Sequence, residues 1–145
     1  MKGKAYRYLP HTADMAFVGY GTSLEEAIEN SALALLCIML DTKRIGRAKA
    51  RPLHLRISEK ADTVEDLVWF SLQDIVSVVD SRNLKAYGFV VDKMNSGRKF
   101  SMSGRLLYKR LDGDYALNSV KAVTPHDLRV AKSGRRFSVN VTVDV

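Results

Sequence analysis

The chain has one cysteine, Cys37, among its 145 residues. A single thiol excludes an internal disulfide and any zinc centre built from cysteine pairs. Cys37 falls in an apolar helical stretch, where a buried, unreactive thiol is expected. Long apolar runs are also missing. The longest, around residues 32–40, is too short to span a membrane. Met1-Lys2-Gly3-Lys4 leads straight into polar sequence, without the layout of a secretory signal. These features predict a reducing, cytoplasmic location and no membrane contact.

The usual hydrolase constellations are absent as well. There are three histidines, but no HExxH pair and no serine-centred nucleophile motif. Gly19 and Gly21 are not followed by the pattern of a phosphate-cradling loop. Basic and aromatic residues do not interleave, so base-stacking readout of RNA has no support. No linker or low-complexity segment divides the chain. Its length fits one domain, residues 1–145, with a sizeable core.

What is present is a globular composition, 46% hydrophobic and 27% charged, with a net charge of +7. The basic residues gather at predicted turns and strand ends. The groups are Lys43-Arg44 with Arg47, Lys49 and Arg51, then Arg98-Lys99, Lys109-Arg110, and Lys132 with Arg135-Arg136. They suit either RNA or an acidic protein face, or form a solvated surface.

Residues 15–20 read as a strand closed by Gly21. Ser23-Leu24-Glu25-Glu26 reads as a capping box opening an amphipathic helix, with Leu24, Ile28, Leu35 and Met39 at helical spacing. Residues 41–46 end that helix. Leu53, Leu55 and Ile57 alternate with polar residues, as in a half-buried strand. Asp62-Thr63-Val64-Glu65 reads as a second capping box, before a second helix running to Val79. Strands follow at Tyr87 to Val91 and Phe100 to Tyr108. Short strands are expected at 120–124 and 128–130, then a turn at Lys132-Ser133-Gly134-Arg135. In the last strand Phe137, Val139, Val141, Val143 and Val145 face the core. With Thr22 set against Asp62, the two helices match position by position, which suggests a duplicated β-α-β unit.

The chain ends carry the chemistry. Leu9-Pro10-His11-Thr12-Ala13-Asp14 stands near the start, and Asp144-Val145 closes the chain. If the fold brings Asp14 to that terminus, three carboxylates meet. Such a cluster raises its own pKa values or recruits a hard divalent cation with oxygen ligands. The alternative is that both ends are ordinary solvated surface. His11 is a ligand, a base or a hydrogen-bond partner beside Asp14, or packs a loop. Lys121, on a strand, either reaches toward the carboxylates and relieves their repulsion or points to solvent.

Taken together, Tyr8-Leu9-Pro10-His11-Thr12-Ala13-Asp14, Gly21-Thr22-Ser23-Leu24-Glu25-Glu26-Ala27, Val120-Lys121-Ala122-Val123-Thr124 with His126, and Val143-Asp144-Val145 resemble the archease family. The resemblance runs the whole length. It implies an α+β fold of duplicated β-α-β-β units, with two helices against a mainly antiparallel sheet or barrel. It also implies an accessory factor, not an enzyme, that promotes guanylylation and repeated turnover of an RtcB-type RNA ligase joining tRNA halves. Transient contact with tRNA would accompany that role. The implied metal ligands are Asp14, Asp144 and the carboxylate of Val145, with Lys121 important to function and His11 nearby. The expected cofactor is a divalent metal ion, Ca²⁺ ahead of Mg²⁺ or Mn²⁺. The chain departs from the family pattern at Pro125, where an aromatic residue is common, and at Ser71, Gln73 and Asp74 in the second helix. Two other readings stay open. One is an RNA-binding or chaperone-like module using the basic turns. The other is a metal-dependent phosphoesterase with His11 as base.

Overall fold

The computed structural model describes residues 3–9 and 14–145. Its elements run β1 (Tyr6–Leu9), β2 (Met15–Gly21), α1 (Leu24–Met39), α2 (Thr42–Arg47), β3 (Leu53–Ala61), α3 (Val64–Arg82), β4 (Lys85–Ser96), β5 (Phe100–Lys109), β6 (Ala122–Ser133) and β7 (Arg136–Asp144). The strands form two antiparallel sheets, ordered β1-β2-β7-β6 and β3-β5-β4. The α+β class and antiparallel pairing match the expectation from sequence. The arrangement as two sheets has a cause in α1. Ala27, Ile28, Ala32, Ala34, Leu35, Leu36 and Ile38 are all buried, so the helix is apolar around most of its girth. Such a helix needs apolar cover on more than one side. It obtains it from β2 and β7 of the first sheet and β4 of the second.

The duplication is visible, but nested. The unit β3-α3-β4-β5 is continuous in sequence and forms the whole second sheet. It sits between the two halves of the other unit, β2-α1 and β6-β7. Within each sheet the order is the same: β2-β7-β6 and β3-β5-β4. Each helix covers strands of its own unit and reaches the edge strand of the other, α1 to β4 and α3 to β6.

Local signals explain the helix starts. The Ser23 hydroxyl accepts from the Glu26 amide at 3.1 Å, while the Glu26 carboxylate accepts from the Thr22 amide at 3.0 Å, one residue earlier than a strict capping box. At α3 the cap is Thr63, whose hydroxyl accepts from the Asp66 amide at 3.1 Å, so this box begins one residue later than the sequence suggested. The segment read as the end of α1 is instead the separate helix α2, opened by Asp41, whose carboxylate accepts from the Arg44 amide. Its far end is held by Lys109, assigned from sequence to a basic turn. Lys109 is 6% exposed, and its ammonium donates to the carbonyls of Gly46 and Ala48 at 2.9 Å each. A cation suits the negative end of a helix.

Two further differences lie in the first sheet. β1 was not legible as a strand. β6 is one strand where two were expected, broken by a register jump between Thr124↔Thr142 and Arg129↔Asn140. Pro125 and Asp127 (φ 67°) fall inside that bulge. Proline cannot donate to a ladder, so it is tolerated where the ladder is interrupted. In β7, Val139, Val141 and Val143 are buried as expected, but Val145 is 39% exposed because the strand ends at Asp144.

Candidate functional site

The antiparallel register brings the two acidic ends to one edge of the first sheet. Met15 faces Val143 at the end of the β2–β7 ladder, so Asp14 and Asp144 are the next residues outward. Facing Cα atoms in such ladders lie about 4.5–5.5 Å apart. On the other flank Ala122 faces Asp144. The Lys121 amide donates to the Asp144 carbonyl at 2.7 Å, which fixes β6 to the final residues of β7. Asp14 and Asp144 are half-buried, and Lys121 and Val145 are exposed. His11 lies outside the described residues. Cys37 is half-buried, not fully enclosed: the Tyr6 hydroxyl donates to its sulfur at 3.6 Å, and the Thr42 hydroxyl lies 3.2 Å away.

Residues that sequence reading did not connect with this edge hold β6 from the helix side. The Trp69 indole donates to the Val123 carbonyl at 2.7 Å, and the Gln73 side-chain oxygen accepts from the Val123 amide at 2.8 Å. Both backbone groups of Val123, two residues from Lys121, are thereby satisfied by α3. An edge strand left with open backbone groups invites mispairing, and side chains that take those groups blunt it. Gln73 thus has a structural task. Ser71 has one as well, its hydroxyl donating to the Leu67 carbonyl at 2.8 Å within α3. The counterpart on the other unit is Glu29 of α1, whose carboxylate accepts from the Val91 amide of β4 at 2.9 Å.

Among the described residues the donors at the acidic edge are oxygens. Among the described residues no three His, Cys, Asp or Glu side chains are grouped closely enough to hold an ion. The side chains that the register brings to this edge are the carboxylates of Asp14 and Asp144. That donor set suits Ca²⁺, Mg²⁺ or Mn²⁺ better than zinc, which favours nitrogen and sulfur.

Several of the cations expected to form basic turns are engaged with the protein itself. Arg44 lies over the Tyr115 ring and near Asp41, Arg136 over Tyr20, and Lys132 over Phe137. Lys99 stands 3.9 Å from Asp62.

Fold and edge together define a class: a small protein of two nested β-α-β-β units that presents carboxylates at a strand end. The archease protein family matches residues 6–145, and the chain belongs to that family. It is 31% identical to "Protein archease" of Methanosarcina barkeri, over 99% of this chain and 98% of that one. It is 30% identical to the protein of the same name from Archaeoglobus fulgidus, over 97% and 98% of the two chains. The solution structure of Protein 1598 from Methanobacterium thermoautotrophicum superposes with a TM-score of 0.80 at 23% identity, covering 97% of this chain and 99% of that one. The crystal structure of an archease from Thermotoga maritima, described as a possible chaperone, gives 0.54 at 19% identity over 100% and 98%. At these identities the two structures speak to the fold alone. No helix among the described residues is long and apolar enough to cross a membrane.

Proposed function

We propose that this protein is a metal-binding accessory factor that promotes guanylylation and repeated turnover of an RtcB-type RNA ligase acting on tRNA, and that it has no ligase activity itself. Family membership supports the reading. The observation that carries it is the ladder from Met15↔Val143 outward, which directs Asp14 toward the Asp144–Val145 end. Asp14, Asp144 and the Val145 carboxylate would hold one divalent cation, Ca²⁺ ahead of Mg²⁺ or Mn²⁺. When bound, the cation supplies a hard Lewis-acidic centre beside the partner's nucleotide chemistry. The two aspartates, held at neighbouring strand ends, would supply carboxylate oxygens to it. Lys121, whose amide is bonded to the Asp144 carbonyl, would bring an ammonium toward them, offsetting their mutual repulsion and offering a donor to a phosphate. His11 would stand beside Asp14.

The test mixes the cognate ligase, GTP and a divalent metal with and without this protein and measures the guanylylated fraction over time. Stimulation is expected with the native chain. It should fall strongly with Asp14→Asn and with Lys121→Ala. A ligase that behaves identically in the presence and absence of the native chain overturns the reading. Phosphodiester hydrolysis by the protein alone would replace it with the phosphoesterase reading.

A further inference from the structure

We propose that the open face of the second sheet binds the phosphodiester backbone of an RNA strand. Strand alternation puts His54, Arg56, Ser58 and Lys60 of β3 on the side of the sheet away from the core, all exposed. Their ladder partners on β5 are Leu107, Arg105, Ser103 and Ser101. On β4, Lys93 faces Ser103 and Asn95 faces Ser101. The strands enclose a shallow hollow of about 320 Å³, lined chiefly by Arg56, Ser58, Lys60, Lys93, Asn95 and Ser101.

Charge is the first argument. Arg56 directly faces Arg105, a like-charge pair of the kind that weakens a sheet. Arg105 is compensated by Asp92 at 2.9 Å. Arg56 donates to the Ser103 hydroxyl at 3.1 Å. Among the described residues no carboxylate pairs with Arg56, Lys60 or Lys93. Glu59 also borders the hollow, but strand alternation puts its side chain on the core side of β3, toward Asp74 on α3. Three cations without a carboxylate partner therefore share one concave face, whereas Arg44, Lys99, Lys132 and Arg136 among the turn cations are engaged by rings or carboxylates within the protein.

The lining chemistry selects the partner. A protein partner is normally anchored by buried aromatic or large apolar groups. The hollow has cations, serine hydroxyls and an amide, with Met102 behind them in the core. Cations with hydroxyl and amide donors are what phosphate oxygens accept from. No aromatic side chain lines the hollow, so bases are not stacked and sequence is not read. The phosphate chemistry comes from this face. The choice of RNA as its source rests on the ligase reading above.

The test is fluorescence anisotropy of a labelled 12-nucleotide single-stranded RNA titrated with the full chain, without any ligase. Its outcome is thereby independent of ligase stimulation, which is assayed separately. Arg56→Gln, Lys60→Gln and Lys93→Gln combined should weaken binding at least tenfold and reduce the log–log salt slope by about 2, at roughly 0.7 for each phosphate no longer neutralised. The control combines Lys43→Gln, Lys49→Gln and Arg135→Gln, which removes the same charge from exposed positions outside the hollow. It should weaken binding less than threefold. A DNA strand of the same sequence should bind equally well, since nothing on the face reads the 2′-hydroxyl. Equal losses in the two triple variants would overturn the proposal. So would poly-glutamate competing better than unlabelled RNA, which would make the face a dock for an acidic protein.

Discussion

Gly19 on β2 and Glu59 on β3 hold equivalent places when the two units are aligned on Thr22 and Asp62, and they join strand to helix in opposite ways. At Gly19 the helix backbone lies directly on the strand. A Cβ there would sit 2.1 Å from the Ser31 hydroxyl oxygen, 2.6 Å from the Ser31 nitrogen and 2.7 Å from the Ala27 carbonyl. At Glu59 a side chain reaches toward the helix and shares a hydrogen bond with the carboxyl of Asp74. One unit is closed by a direct backbone contact, the other by a carboxyl pair. The same nested architecture therefore tolerates two kinds of strand–helix seam. Only the first leaves no room for a side chain, and only the second is sensitive to protons.

The sharpest way to break this comparison is to give Gly19 a side chain. Two of its three nearest neighbours are backbone atoms of α1, so relief requires the helix to move. Gly19→Ala should destabilise the protein by about 3 kcal/mol or more, at the upper end for overpacking. Gly46, inside α2 with nothing within 4 Å of its would-be Cβ, is the control. Gly46→Ala should stabilise by about 0.5–1 kcal/mol through helix propensity. Urea midpoints of both variants give the comparison. A Gly19→Ala protein as stable as the native one would mean that α1 does not rest on β2.

These seams show what the sequence could and could not reveal. Helix starts were readable because Ser23, Thr63 and their acidic partners act within four residues of one another. Strands β3 and β7 were readable from alternation. The 40-residue offset between the helices was readable too, but its nesting was not, since strand partnership is decided by tertiary pairing. β1 is four residues long, with its two middle residues exposed, too short for alternation to register. Lys109 looked like a surface cation because its partners, the carbonyls of Gly46 and Ala48, are more than 60 residues away. The acidic edge was suggested by two distant motifs and by family resemblance. Its physical basis, the β2–β7 register, depends on a pairing across most of the chain. The open cationic face was not legible because its members come singly from alternating strands, whereas the turn cations stand in conspicuous runs.

The helix clamps on the two edge strands offer a second contrast. α3 satisfies both the amide and the carbonyl of Val123, and α1 satisfies the amide of Val91. Gln73→Leu leaves a donor on a buried residue without an acceptor and should cost about 1–2 kcal/mol. Glu29→Gln keeps an acceptor oxygen and should cost less than about 0.5 kcal/mol. Hydrogen exchange of the two amides separates clamp from general destabilisation. The Val123 amide should exchange at least tenfold faster in Gln73→Leu, with Val91 unchanged. Equal acceleration at both positions would mean that α3 holds no private contact with β6.

The smallest expected effect concerns the carboxyl seam. The Asp74 carboxyl is pushed up to about 7, first by burial, then by its hydrogen bond with Glu59 and by the charge of Glu59. A raised carboxyl pKa means that the folded state holds the proton more tightly than the unfolded chain. The stability linked to that proton is fully present below the ordinary aspartate value of 3.8 and is lost as pH rises through about 7. Asp74→Asn replaces the protonated carboxyl with a neutral amide that can still donate to Glu59, so the variant should match the native protein in acid and exceed it in base. Asp74 is only partly buried and solvent screens the pair, so the gain at pH 8 should stay below about 1 kcal/mol. No such pH-dependent gain is available at the Gly19 seam, which has no ionisable group. Denaturation midpoints of the native and Asp74→Asn proteins at pH 5 and pH 8 test this. A difference that is the same at both pH values would show that Asp74 does not hold its proton for the sake of the β3–α3 seam.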